Sequence, residues 1–195
     1  MSGMRSITLK KFRRYSLGAL VLLIIFTAFF FLAQEFTTES TIQLLIQDFG
    51  YVGVIIAGVI GGLNTIIPIP PASFTPLFIA AGLSLPLIIL MLTLGTLIAD
   101  YVGYALGHVS REIIKLKHPK LFSFFLTLQE QHHQLVLPLV FLYAALMPIP
   151  NEIILIPLAL SGIRFRAMII PLVFGNLISQ AALSYGFTSL FDVMF

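Results

Sequence analysis

The sequence predicts an all-α integral membrane protein: an inverted repeat of two re-entrant helical hairpins, each followed by a transmembrane helix, with an N-terminal anchor helix in front. Three observations carry this expectation. Of 195 residues, 58% are hydrophobic and only 10% charged, with a mean hydropathy of +1.04; a soluble domain is typically about 25% charged. Two proline-rich stretches interrupt apolar runs that are too short to cross a bilayer. Those stretches recur at a spacing of 80 residues.

In chain order, Arg5, Lys10, Lys11, Arg13 and Arg14 precede "YSLGALVLLIIFTAFFFLA" (15–33), 19 nearly uncharged positions followed by Glu35 and Glu39. That run is long enough to cross about 30 Å of hydrocarbon. It is long for a cleaved signal peptide and lacks a small-x-small cleavage pattern. Residues 1–40 are therefore read as a basic cytoplasmic tail and an uncleaved anchor. In "TIQLLIQDF" (41–49), Ile42, Leu45, Ile46 and Phe49 follow i, i+3, i+4, i+7 spacing, which suits a short helix on the membrane surface. "YVGVIIAGVIGGL" (51–63) offers thirteen apolar residues, a helix of about 20 Å that dips to mid-membrane and turns back. The chain returns through 72–82 and crosses fully over 86–107. Residues 108–120, with Arg111, Lys115, Lys117 and Lys120, read as a basic cytoplasmic loop. A second surface helix (121–134), a dipping run (135–147), a return (152–162) and a last crossing (167–190) follow. The domain plan is one membrane domain over 41–195, with repeat one at 41–107 and repeat two at 121–190.

The repeat explains the prolines. Pro68-Ile69-Pro70 aligns with Pro148-Ile149-Pro150, Gly82 with Gly162 and Gly95 with Gly175, and 9 of 31 positions match between 68–98 and 148–178. Proline cannot continue a helix ladder, so these clusters end paired half-helices. Backbone freed inside a membrane must line a protein-shielded cavity. One full crossing per unit turns the second unit upside down relative to the first, a pattern of secondary transporters. With the N-terminus in the cytoplasm and the C-terminus outside, all eleven Lys and Arg, including Arg164 and Arg166, fall on the cytoplasmic side, as the positive-inside tendency requires. A packed irregular scaffold remains the structural alternative.

Glu152 follows the second break directly. An intramembrane carboxylate is costly and points to function, here a proton or cation site; capping free amides at the start of a half-helix is the other option. Asn151 and Asn64 stand beside the two breaks as amide contacts. Asp100 lies in "LIADYVGYALGH", four residues from Tyr104 and so on its face, with Ala99, Gly103 and Gly107 as a small-residue stripe. An interhelical staple is the alternative role for Asp100. Asn176 and Gln180 lie in the last helix, with Gln180 at the repeat position of Asp100. The breaks themselves comprise Pro68, Pro70, Pro71, Pro148 and Pro150, closed by Gly82 and Gly162.

There is no cysteine, which excludes disulfides and thiolate chemistry. The four histidines have no spacing that joins them into a metal site. No Walker-type loop and no catalytic triad is present, so the expectation is a non-enzyme without cofactor, metal or nucleic-acid partner.

The ordered set Pro68-Ile69-Pro70 to Gly82, then Asp100, Tyr104 and Gly107, then Pro148-Ile149-Pro150 to Gly162 resembles the DedA family, also called the SNARE-associated or VTT-domain family, over about Thr41–Gly186. The resemblance implies two inverted membrane-dipping hairpins and movement of a phospholipid or undecaprenyl phosphate across a membrane, with proton coupling through membrane acids proposed for some members. Carried over by position, Glu152, Asp100 and the two breaks form the core of the site. Where many relatives carry an acid after the first Pro-x-Pro, this chain has Ala72 and Ser73. Many also carry arginines around the second hairpin; here Arg164 and Arg166 follow it and are expected to contact the head group at the cytoplasmic rim.

The leading expectation is a lipid flippase or scramblase of a prokaryotic cell membrane, with membrane lipids as partners, protons and a homo-oligomer left open, and Glu152 as a proton-sensitive gate. The alternatives are a small-solute or ion transporter on the same architecture, and a non-transporting scaffold or assembly factor.

Overall fold

The computed structural model describes residues 40–63, 70–147 and 150–194. The predicted tail and anchor, together with Asn64, Pro68 and Pro148, lie outside these residues. The described chain is all-helical. It comprises α1 (Ser40–Gly62), a 3-10 turn (Pro71–Phe74) running into α2 (Thr75–Ala80), α3 (Leu85–Lys117), α4 (Pro119–Leu146), α5 (Glu152–Ser161) and α6 (Phe165–Met194). Two helices, over Leu85–Lys117 and Phe165–Val193, are long and apolar enough to cross a membrane.

Local chemistry explains the boundaries. α1 is kinked at Gly50, whose φ of 50° and ψ of −136° suit a residue without a Cβ. The kink falls between the amphipathic 41–49 and the apolar 51–63, where the sequence pattern changes. Proline stands in the first turn of α2, α3 and α4, where its missing N–H costs no hydrogen bond.

Both short hairpin helices end on a left-handed glycine, Gly82 at φ 87° and Gly162 at φ 90°. Gly82 N donates to Ile79 O and Leu83 N to Phe78 O; Gly162 N donates to Ala159 O and Ile163 N to Leu158 O. These two Schellman ends repeat at the 80-residue spacing. So do the hydrogen bonds that open the segments, Ser73 N to Pro70 O and Ile153 N to Pro150 O.

Two expectations need correction. The segment 108–120 is not a loop, because α3 continues to Lys117 and only His118 separates it from α4. Lys115 and Lys117 in its last turn complement the helix dipole, so the helix outlasts its apolar stretch. Nor is there a break between a helix over 121–134 and one over 135–147, since α4 is one element of 28 residues with Pro138 inside it. Near its start, Ser123 and Thr127 donate their hydroxyls to carbonyls of their own helix, so the polar positions do not interrupt it.

The central relationship runs along α3, whose 33 residues make about 50 Å of helix. Tyr51, next to the kink of α1, bonds through its hydroxyl to Ser84, the residue before α3. Further along, Gly58 meets the backbone of Leu92 and Gly95, and Gly62 meets Ala99 and Thr96. α1 thus runs parallel to the first half of α3 and ends near its midpoint. α5 runs parallel to the second half: Asn151 bonds Asp100, Glu152 lies on Gly103, Ile156 on Gly107, and Gly162 against the guanidinium of Arg111. The two half-length helices therefore lie along opposite halves of α3, α1 ending at Ala99 and α5 beginning at Asp100. α4 ends at the same level of α6, with Ala144 and the Phe141 carbonyl against Gly175.

The return arms of the two hairpins are exchanged between halves, while α1 stays on α3 and α4 on α6. The 3-10 turn and α2 pack on α6, and α5 packs on α3. One core joins Val54, Ala72, Phe78, Ile88 and Leu92 with Phe187 of α6. The other joins Val140, Ala144, Leu155, Met168 and Leu172, with Leu97 and Tyr104 of α3 packed on it.

Candidate functional site

Between the two cores lies a polar layer. Asp100 is 3% exposed and accepts from two side-chain amides. Asn151 Nδ2 reaches Asp100 Oδ1 at 3.0 Å and Oδ2 at 3.2 Å, and Asn176 Nδ2 reaches Oδ2 at 2.7 Å. Asn151 Nδ2 also donates to Asn176 Oδ1 at 3.0 Å. With two hydrogens and three acceptors, one N–H of Asn151 is shared across the carboxylate. The triad ties the break before α5 to the middle of α3 and to α6. Its three donations suit the acceptor chemistry of a carboxylate.

Glu152 is different. It is 5% exposed, with its Cγ against Gly103, and neither carboxylate oxygen reaches a donor of another described residue. The capping alternative finds no support in the bonding of the first turn. The amides of Ile153, Ile154 and Leu155 already donate to the carbonyls of Pro150 and Asn151. Burying a carboxylate that has no donor from another residue is costly, so this position is held against its own preference by the packing of α5 on α3.

On α6, Asn176, Gln180 and Ser184 are buried and recur every four residues, on one face. Gln180 Oε1 has no partner among the described residues. Ser184 Oγ and Thr75 Oγ1 share a hydrogen bond of 2.9 Å, which fixes the first hairpin to α6. The i, i+4 run was legible in the sequence as far as Gln180; Ser184 was missed because serine is common in apolar helices and carries no charge. Thr93 and Thr96, also buried, donate to carbonyls of α3 itself and are satisfied there.

Of the residues singled out from sequence, Asp100, Asn151 and Glu152 come together. Tyr104 does not join them: its hydroxyl donates to Ile163 O at 2.9 Å, beyond the far end of α5, and its ring packs on Phe165 and stacks on His108. It is a latch on the hairpin rather than part of the polar layer. Pro150 opens α5 and its carbonyl accepts from Tyr143 at 3.3 Å. Pro70 and Pro71 open the 3-10 turn. Arg164 and Arg166 are exposed beside the Gly162 end of the hairpin. Eleven residues of α3 separate Asp100 from Arg111, about 16 Å, so these arginines stand near the Arg111 end of α3 and not in the triad. Among the described residues no group of three or more His, Cys, Asp or Glu is arranged to hold a metal ion. Comparison with family models, with curated proteins and with solved structures returns no match.

Proposed function

We propose that the chain is a membrane transporter of DedA type, moving a lipid head group between two re-entrant hairpins that enter the bilayer from opposite faces, with Glu152 as its proton-sensitive gate. In this reading the basic end, with Arg111, Lys115, Lys117, Arg164 and Arg166, is cytoplasmic, and the end of α6 carrying Asp192 is outside.

The observation that carries the reading is Glu152: a buried carboxylate that meets no donor of another described residue, at the level where α1 ends and α5 begins. A scaffold has no use for such a group, since an apolar residue there would be cheaper. The outer surface agrees with the bilayer setting. Leu90, Leu94, Ile98, Leu106, Ile170 and Phe174 point outward, while Asp100, Glu152, Asn176 and Gln180 are buried, the reverse of a soluble fold. Movement of lipid rather than solute follows from the resemblance and from the rim placement of Arg164 and Arg166.

The test is reconstitution into proteoliposomes, with fluorescent phospholipids and soluble substrates assayed side by side across pH. Glu152→Gln is expected to abolish the pH dependence of lipid movement. An unchanged profile would refute the gate, and transport of a solute without lipid would move the assignment to a solute carrier.

A further inference from the structure

In the polar layer, the buried polar atoms without partners among the described residues share one chemical character. Glu152 Oε1, Glu152 Oε2 and Gln180 Oε1 are buried, and all three are acceptor oxygens. Their residues are each 5% exposed. They flank the Asp100 triad. Glu152 directly follows Asn151, and Gln180 stands one turn beyond Asn176 on the same face of α6. The layer holds two carboxylates; the donors of Asn151 are used on Asp100 and Asn176, and Asn176 donates to Asp100. Among the described residues no Lys or Arg enters it: Arg111 lies against Gly162, about 12 Å of helix beyond Gly103. Segments 64–69 and 148–149, which flank the breaks, contain no Lys, Arg or His.

From this one-sided chemistry we infer that the layer is a binding site for a small monovalent cation, supplied as the primary ammonium of a lipid head group or as a free ion, and that it does not receive a phosphate. A buried polar group without a partner costs free energy that a ligand of complementary chemistry recovers. An ammonium offers three donors and one positive charge to oxygens that no other described residue supplies with either. A phosphate brings only acceptors and more negative charge beside two carboxylates, where weak screening makes repulsion strong. In a lipid carrying both groups, the ammonium enters the layer while the phosphate stays toward Arg164 and Arg166. This deepens the transport reading, on which only its lipid arm rests.

The test has two arms. In the first, thermal unfolding of the purified full chain in detergent is followed with methylammonium, sodium or inorganic phosphate at constant ionic strength, since a ligand that binds the folded state raises the midpoint. Methylammonium or sodium is expected to raise it, the first pointing to a head-group ammonium and the second to a free ion. Glu152→Gln and Gln180→Leu are each expected to weaken the effect at least tenfold in ligand concentration, while Glu112→Gln, on the exposed end of α3, leaves it intact. Stabilisation by phosphate alone, by none of the three, or equally in Glu152→Gln overturns the inference. In the second arm, proteoliposomes compare phosphatidylethanolamine with phosphatidylglycerol. Equal movement of both, without cation stabilisation, overturns the cation site and leaves lipid transport standing. Cation stabilisation without any lipid movement leaves the site standing and removes the lipid reading.

Discussion

Glu152 rests on Gly103 so closely that a Cβ placed on the glycine would fall 2.6 Å from the glutamate Cγ. The carboxylate is thereby seated against α3, and α5 lies in contact with the helix backbone along its length. At Gly107 a Cβ would meet the Cα and carbonyl oxygen of Ile156 at 2.9 Å. The return arm of the second hairpin is held on α3 by glycine.

Gly103→Ala and Gly107→Ala should each lower stability, by about 1–3 kcal/mol from overpacking. Gly107→Ala should cost more, because backbone cannot rotate away as the Glu152 side chain can. Gly186→Ala, with nothing within 4 Å, should be neutral or slightly stabilising through helix propensity. Thermal unfolding in detergent checks the order. Equal effects at positions 103 and 186 would contradict the close approach.

The left-handed hairpin ends give a second comparison. Alanine at Gly82 or Gly162 should cost about 1–2 kcal/mol from the backbone conformation alone. Gly162→Ala should be the worse of the two, since its Cβ would also meet the Arg111 guanidinium at 3.1 Å while the space beside Gly82 is open. Unfolding midpoints of the two variants, together with Gly162→Ala in an Arg111→Ala background, separate backbone strain from the contact.

The triad predicts an asymmetry with pH. Asp100→Asn leaves Asn151 and Asn176 aiming donors at an amide and should cost about 1–3 kcal/mol. Asn176→Asp sets a second carboxylate beside Asp100 in place of a donor. Its stability deficit should be largest at high pH, where both acids are charged, and should shrink as pH falls and one takes a proton. A deficit independent of pH would show that the two side chains do not face each other in the membrane.

Thr75 and Ser184 should show energetic coupling. The double-mutant cycle of Thr75→Val and Ser184→Ala is expected to give about 0.5–1.5 kcal/mol, the net worth of one buried hydrogen bond. Additive effects would remove the bond that ties the first hairpin to α6.

Access to the hairpin rims tests their direction. The chain has no cysteine, so Ser84→Cys and Arg164→Cys report without background. An impermeant thiol reagent should reach the first from outside intact cells and the second only from the cytoplasmic face. Labelling of both from one face would end the inverted-hairpin reading.

Features fixed by neighbouring residues were legible in the chain itself. The change from amphipathic to apolar pattern located the kink at Gly50, the glycines located the ends of the short helices at Gly82 and Gly162, and the spacing of 80 marked their matching openings and ends. Helix lengths were less legible. Hydropathy falls after Gly107 while Arg111, Glu112, Lys115 and Lys117 remain good helix formers, so polarity marked a change of surroundings and not an end of α3. The partners of the site were beyond reach. Asn151 meets Asp100 across 51 residues and Asn176 across 76, and nothing local chooses those pairs. The crosswise packing chooses them: the return arm of each hairpin lies on the long helix of the other half, which brings Asn151 to Asp100, seats Glu152 on Gly103 and leads Tyr104 away to Ile163. Sequence determined where the chain breaks, because a proline or a glycine acts on its own backbone. Tertiary structure decided which buried acid is satisfied, because donors reach a side chain only through the helices packed around it.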